Sequence, residues 1–230
     1  MQIKVLFEDE YCIIVNKPNN VLIHYSYYSR NIKDDTLVNL LKQQFDHELF
    51  PVHRLDRKTS GVILFAKEKQ FIPKFQELFN SKEIQKTYLA IVRGFFTNSE
   101  NITSPVKNPD TKIYRDAETL CEHVFTKELN IPVHPYNTSR YSLVKLTPKT
   151  GRMHQLRIHM NKISHPIVGD YKYGDRFHNR MFETELNCKN MFLHAHSIKF
   201  EHPFTFKKIN VTSKLPVDWT IVFEKFQWNF

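Results

Sequence analysis

The chain is poor in glycine. It has 5 glycines in 230 residues, whereas an average usage of about 7% would give about 16. Gly61, Gly94, Gly151, Gly169 and Gly174 all lie in or beside charged stretches. Because a rare glycine is kept where a side chain does not fit, we expect each one at a constrained position. The same scarcity excludes nucleotide-binding loops of the GxGxxG or Walker type, since neither pattern is present.

Cysteine and long apolar runs are scarce as well. Cys12, Cys121 and Cys188 are widely spaced, odd in number and form no CxxC pair. This usage argues against a disulfide framework or a zinc knuckle and favours a reducing compartment, the cytoplasm. No apolar run approaches the ~18 residues of a membrane span. The N-terminal MQIKVLFEDE carries acids where a signal peptide has its apolar stretch, so we expect no membrane association.

Charge of one sign is in surplus. The chain has 33 Lys+Arg and 24 Asp+Glu, so the formal net charge is 33 − 24 = +9. Such a surplus favours a polyanionic partner, although a basic surface without such a partner would look the same. The 12 histidines suggest a metal site, but no carboxylate or cysteine completes a set at usual ligand spacing. Structural histidines and the absence of a metal are therefore predicted.

Hydrophobic periodicity predicts a mixture of strands and helices. The predicted strands are two within 12–24 around an Asn/Pro turn, and one each within 51–66, 86–94, 139–148 and 192–200. The predicted helices are one capped by Thr36 or Asp35, one over 71–79 and one over 153–162. Residues 97–138 are interpreted as long connections. Because strands and helices do not alternate as βαβ units, we predict an α+β fold with a largely antiparallel sheet.

The segment HRLDRKTSG, residues 53–61, places Asp56 between Arg54 and Arg57, directly before the apolar run VILFAK. A charge beside a core segment is costly unless it is paired. Either a structural ion pair at a turn or a functional carboxylate would explain it. The small residues Thr59, Ser60 and Gly61 suit a tight turn that leaves room beside Asp56.

Two further residues have both a structural and a functional interpretation. Tyr88 begins a predicted strand, where an aromatic ring usually serves core packing. Arg157 lies in HQLRIH, directly after the apolar Leu156. It is either an exposed helix arginine or a guanidinium that points inward to pair with a carboxylate, a role for which arginine is better suited than lysine.

The segments HRLDRKTSG, KTYLAIVRG, GRMHQLRIHM, HPIVGDYKYGD and FLHAH occur in this order. In sequence and spacing they resemble the family of pseudouridine synthases that modify large ribosomal RNA and tRNA. The resemblance implies one catalytic domain over 1–230, in which a mixed, mainly antiparallel sheet is flanked by helices and loops around a central catalytic cleft. It also implies a cofactor-free isomerase. Because VNKP begins at residue 15, no S4 RNA-binding domain is expected.

The resemblance also implies roles for three residues. Asp56 matches the essential aspartate of the family, and a nucleophilic carboxylate can stabilise or trap an oxocarbenium-like sugar. Arg157 matches the arginine that pairs with that aspartate and keeps it ionised. Tyr88 matches the tyrosine that packs on the uracil and helps to remove its C5 proton.

RNA contacts are implied at four positions. Arg54 matches an arginine that helps to hold the RNA with the target nucleotide flipped out, because a guanidinium plane can replace the lost stacking. The other predicted RNA-binding residues are Arg57, Arg152 and His154.

Within the family, three segments resemble the members that act on uridine 65 of tRNA, in the acceptor stem. These segments are VLFEDEYCIIVNKP, TSRYSLVKLTPKTGR and GDRFHNR. The predicted partner is therefore tRNA, and the predicted state is a monomer. Two alternatives stay open, the same chemistry on large-subunit ribosomal RNA and a catalytically silent RNA-binding protein.

Overall fold

The computed structural model describes residues 1–25, 34–108 and 110–229. The strands, in chain order, are β1 Lys4–Glu8, β2 Cys12–Lys17, β3 Phe50–Pro51, β4 Ser60–Ala66, β5 Gln85–Arg93, β6 Glu100–Thr103, β7 Val106–Lys107, β8 Tyr114–Arg115, β9 Glu118–Leu129, β10 Ser139–Pro148, β11 Leu193–Glu201 and β12 Lys208–Thr212. The α-helices are α1 Leu37–Phe45, α2 Ile72–Asn80, α3 Gln155–Lys162, α4 Arg176–Glu185 and α5 Val217–Phe226. No helix in these ranges is both long and apolar enough to cross a membrane.

The first of two compact units comprises Met1–Lys86 and Ala195–Lys214. Its strands follow the order β1-β2-β4-β11, with β3 paired to β4 and β12 paired to β11. β4 is buried along its whole length, as its apolar stretch VILFA predicts. Its core joins one face of β2 and β4 to α2 and to the β11–β12 hairpin through residues such as Ile14, Leu64, Phe75 and Phe200.

The second unit comprises Thr87–His194 and Leu215–Phe230. Here β5, β10, β9 and β6 pair in that order, and every register is antiparallel. α4 and α5 pack on one core cluster, which contains Phe182 and Trp219. α3 packs on another through Leu156 and Met160. This mixture confirms the predicted α+β class and its mainly antiparallel sheet, whereas the single catalytic domain over 1–230 stays a prediction.

Most predicted elements are confirmed, including the helix capped by Thr36, whose hydroxyl accepts a hydrogen bond from the amide of Asn39. The second strand predicted within 12–24 is wrong. Residues 21–24 form no strand, because their carbonyls bond elsewhere. The carbonyls of Leu22 and Ile23 accept from the first amides of α1, and the carbonyl of Val21 accepts from a lysine side chain.

The prediction that residues 97–138 are long connections is also wrong. This range contains four strands, and the longest, β9, has 12 residues and pairs with β10 along almost its whole length. The sequence of β9 gives a weak strand signal, because many of its side chains are polar. Buried and less buried residues alternate in only part of the strand. The helices α4 and α5 were not predicted.

Candidate active site

Asp56 lies in the first unit, in the loop between β3 and β4, and is half-buried. Leu55 before it is buried and Arg54 is exposed. His53 fastens the start of the loop to β4, since its Nε2 accepts a hydrogen bond of 3.1 Å from the amide of Leu64. Burial lowers the pKa of His53 to about 3, so this ring is neutral and acts as an acceptor.

The other end of the loop is a tight turn, in which the amide of Thr59 donates to the carbonyl of Asp56 at 3.0 Å. The side-chain Nδ2 of Asn19 donates to the carbonyl of Lys58 at 2.6 Å. Gly61 ends the turn with φ of +110°, and a Cβ at this position would come within 2.2 Å of a backbone oxygen of β11. Both the backbone conformation and the close contact therefore require glycine here.

Lys17, at the end of β2, is fully buried beneath this loop. Its Nζ donates to the carbonyls of Pro18, Val21 and Arg57 at 2.8, 2.8 and 2.9 Å, which match the three donors of an ammonium group. Burial lowers the pKa of Lys17 to about 7, while the nearby charge of Asp56 acts in the opposite direction. Lys17 is thus a buried basic neighbour of Asp56 that also fixes the backbone of the loop.

Replacement of Lys17 by methionine should destabilise the protein by about 2–4 kcal/mol. The stem still packs, but three carbonyls lose their lysine donor, each at a cost of about 1–3 kcal/mol, and the relief of ammonium desolvation offsets part of that cost. Urea unfolding measures the change. Lys67→Met is the matched control, because Lys67 forms a partly exposed ion pair with Glu8 and should cost less than about 1 kcal/mol. Equal costs for the two variants would contradict the anchoring role.

The two arginines that flank Asp56 differ in their surroundings. The guanidinium of Arg57 donates to the carbonyl of Asn20 at 3.1 Å and to the carboxylate of Asp34 at 3.2 Å. Arg57 therefore helps to join the Asp56 loop to the segment after β2. Arg54 is exposed, which is compatible with the predicted RNA contact.

Arg157 lies in the second unit on α3, and it is buried. The inward orientation is thus confirmed, and the carboxylate it contacts in its own unit is Asp170. Nε donates to one carboxylate oxygen at 2.7 Å and Nη2 to the other at 2.8 Å. This is the bidentate geometry for which arginine is suited. It uses two of the five N–H donors of the guanidinium, so it is compatible with a second carboxylate partner.

Asp170 organises the loop between α3 and α4 as well as Arg157. It is fully buried, and its Oδ1 also accepts from the amides of Lys172 and Tyr173 at 2.9 and 3.1 Å. Burial alone would raise the pKa of Asp170, but the hydrogen bonds and charge of Arg157, with these two amides, hold it below its usual value. The ring of Tyr173 lies 5.0 Å from the guanidinium of Arg157, a cation–π distance.

The start of α3 is held by Gln155, which is buried. Its oxygen accepts from the hydroxyl of Thr150 and the amide of Arg152. Its nitrogen donates to the carbonyl of Glu118 and the hydroxyl of Thr119. All four hydrogen-bonding positions of the side-chain amide are therefore used, which fixes the helix that carries Arg157.

Two predicted RNA-binding residues precede this helix. Nε of Arg152 donates to the carbonyl of Asp116 at 3.0 Å, so this side chain already supports a backbone turn. His154 has φ of +58°, and its Nδ1 lies 2.9 Å from the hydroxyl of Tyr173. The structure therefore groups His154 with Arg157 around Tyr173.

Tyr88 lies on β5 opposite Leu146 of β10. It is half-buried and packs against the core cluster of α3, so both interpretations of this ring retain support. The structure thus groups Asp56 with its two flanking arginines in the first unit, and His154 with Arg157 in the second. The predicted contacts of Asp56 with Arg157 and of Tyr88 with uracil stay predictions.

Sequence reasoning missed three residues of this arrangement, Lys17, Asp170 and Gln155. Two of them have a signal in the sequence. Lys17 closely follows the apolar stretch CIIV, and Asp170 is next to one of only 5 glycines. A glutamine within a helical segment carries no such signal.

The described residues contain one group with metal-ligand chemistry, formed by Asp9, Cys12 and His202. The prediction that no carboxylate or cysteine completes a histidine set is therefore wrong, because a carboxylate and a cysteine do lie close to His202. However, Nδ1 of His202 accepts from the amides of Phe204 and Thr205. Its proton therefore resides on Nε2, 3.2 Å from a carboxylate oxygen of Asp9.

Burial raises the pKa of the Cys12 thiol, and the charge of Asp9 raises it further, so this thiol is protonated in the described arrangement. The cluster is a hydrogen-bonded support for the turn before β12.

Comparison with known proteins assigns the chain to a family. Residues 11–162 match the family described as RNA pseudouridylate synthase. This match spans more than half of the chain and includes both the Asp56 loop and Arg157. The protein belongs to the RNA pseudouridylate synthases, and it is an isomerase of that class.

Relatives of known name align over nearly the whole chain. A protein of Haemophilus ducreyi named tRNA pseudouridine synthase C is 38% identical, and the alignment covers 100% of this chain and 98% of that protein. A protein of Vibrio vulnificus with the same name is 35% identical over 98% of this chain and 96% of that protein. Among solved structures, human RNA pseudouridylate synthase domain containing 1 shares the fold, with a TM-score of 0.73 and 24% identity over 94% of this chain and 84% of that one.

Proposed function

We propose that the protein converts uridine to pseudouridine in tRNA, at uridine 65 of the acceptor stem. The full-length similarity to relatives named tRNA pseudouridine synthase C carries the choice of tRNA. The finer choice of uridine 65 rests on the resemblance of VLFEDEYCIIVNKP, TSRYSLVKLTPKTGR and GDRFHNR to the members that modify that position. We further propose that the enzyme acts as a cytoplasmic monomer.

The reaction requires a carboxylate and a proton acceptor but no external reagent. The bond between N1 of uracil and C1′ of ribose breaks, a bond between C5 and C1′ forms, and the proton of C5 is replaced by one on N1. Product and substrate are isomers, so no redox or group-transfer cofactor is needed. Asp56 acts as the carboxylate at the sugar or the base, and Tyr88 packs on the uracil and helps to remove the C5 proton.

The second unit supplies the electrostatic support in this proposal. Arg157 keeps Asp56 ionised, while Asp170 fixes the orientation of the guanidinium through its bidentate contact. Arg54 contacts the RNA strand around the flipped nucleotide. The side chains of Arg57 and Arg152 act mainly by holding backbone, since both donate to carbonyl oxygens of the protein.

The alternative substrate is large-subunit ribosomal RNA, which would require the same Asp56, Tyr88 and Arg157. Incubation of the protein with unmodified tRNA and with large-subunit rRNA transcripts, followed by cyanoethylation and mass spectrometry, should reveal a single pseudouridine at position 65 of tRNA. A product in rRNA alone would keep the chemistry and overturn the tRNA assignment. A product at another tRNA position would overturn only the position.

A further inference from the structure

A groove of about 470 Å³ lies beside the exposed face of α4 in the second unit. One wall is the segment after β9, including Ile131 and His134, and the other is α4, including Phe177, Arg180 and Met181. This volume falls in the range of small-molecule and nucleotide sites. None of the roles assigned above involves these residues.

The groove carries an exposed aromatic ring that lies near an arginine and a histidine. Phe177 is 46% exposed although it lies in the first turn of a helix whose next residues, His178 and Asn179, are buried. The guanidinium of Arg176 lies 4.6 Å from the centre of its ring. The ring of His134 lies 6.4 Å from it on the other wall.

The charges on this face favour an anion. Arg176 and Arg180 are four residues apart on α4, so they project from the same face of the helix, and both are exposed. Glu185 also lines the groove, at the far end of the helix. The half near Phe177 is therefore positive, as the complement of a phosphodiester would be.

The groove is also coupled to the site that contains Arg157. The side chain of Asn179 accepts from the amide of Gly169 at 2.7 Å and donates to the carbonyl of Asp170 at 3.0 Å. The first turn of α4 is thus fixed to the residue that orients Arg157. The groove and Arg157 are therefore linked within the second unit through Asn179 and Asp170.

We propose that the groove between α4 and the segment 130–134 binds an unpaired nucleotide of the RNA substrate outside the reaction site. Its base stacks on the paired ring and guanidinium of Phe177 and Arg176, and its phosphate contacts Arg180. Aromatic rings and guanidinium planes are the usual platforms for unpaired bases. This inference rests on the proposed function for the identity of the RNA, but its test reads binding and not turnover.

The test compares the dissociation constant of a labelled tRNA transcript for the wild-type chain and two variants, by fluorescence anisotropy at several salt concentrations. Arg180→Glu should weaken binding about tenfold and make the logarithmic salt dependence shallower by about one. Phe177→Ala should weaken binding about tenfold. Phe177→Leu, which keeps an apolar side chain but removes the ring, should behave like Phe177→Ala.

The matched control is Lys225→Glu, an equal change of net charge at an exposed position of α5, which should change the affinity less than twofold. Circular dichroism establishes that each variant is folded. The proposal is overturned if the groove variants bind within twofold of the wild type, if the control weakens binding equally, or if the wild type does not bind the tRNA. If the groove variants bind tRNA more weakly but the wild-type chain makes no pseudouridine, the proposed function is refuted and the groove proposal is retained.

Discussion

Replacement of Asp56 by alanine should abolish pseudouridine formation, with a loss of at least about a thousandfold in turnover. In the proposed mechanism this carboxylate acts directly on the reacting nucleotide, and no other carboxylate in its loop can substitute for it. The affinity for tRNA should change less than about tenfold, because a carboxylate makes no attractive contact with phosphate. Mass spectrometry of the RNA product measures the first effect, and anisotropy measures the second.

The loss must be separated from damage to the loop. Asp35→Ala removes the same charge at an exposed position in the same unit, and it should leave turnover near that of the wild type. The carbonyls of the Asp56 loop accept hydrogen bonds from the amide of Thr59 and from the side chains of Lys17 and Asn19. None of these bonds uses the Asp56 side chain. The variant should therefore fold, and retained turnover would remove Asp56 from the mechanism.

Part of this arrangement could be predicted from the sequence because it depends on local chemistry. The apolar stretch VILFA predicts the buried strand β4, and the charged turn before it marks Asp56 as a candidate. Each of these features leaves a signal within a few residues of chain. The position of Arg157 next to Leu156 left its orientation open, and only the structure shows that it is buried.

The remainder depends on contacts between distant positions. β9 is stabilised by its long pairing with β10, so its partly polar sequence gives a weak strand signal. Asp170 is 13 residues from Arg157, and no periodicity relates a loop carboxylate to a helix arginine. Lys17 reaches Arg57 across 40 residues, and Cys12 and His202 of the cluster with Asp9 are 190 residues apart.

The second large effect is expected at Asp170. Asp170→Asn should lower the free energy of unfolding by about 3–5 kcal/mol, the usual cost of removing one partner of a buried ion pair. Asparagine offers the guanidinium of Arg157 only one acceptor, and its amide N–H groups would face other N–H groups. Urea unfolding measures the loss, and turnover should fall with it because Arg157 is no longer oriented.

Asp175→Asn is the matched control in the same unit. Asp175 forms an ion pair with Arg93 in which both side chains are partly exposed, and it caps α4 by accepting from two amides. Asparagine caps as well as aspartate, and an exposed pair is worth less than about 1 kcal/mol. Both substitutions replace aspartate by asparagine. A comparable loss in the free energy of unfolding for both would show that burial does not make the Arg157–Asp170 pair more stabilising than an exposed one.

The pH dependence gives an independent check on the same pair. The pKa of Asp170 is lower in the folded chain than its usual value, so the ionised carboxylate binds more tightly to the folded state than the protonated one. Its contribution is fully present above the unfolded pKa of about 3.9 and is lost as the pH falls towards the lower folded pKa. The stability difference between the wild type and Asp170→Asn should therefore be constant from neutral pH to about pH 5 and shrink below about pH 4. A difference that persists unchanged into that acid range would mean that the Asp170 charge does not produce it.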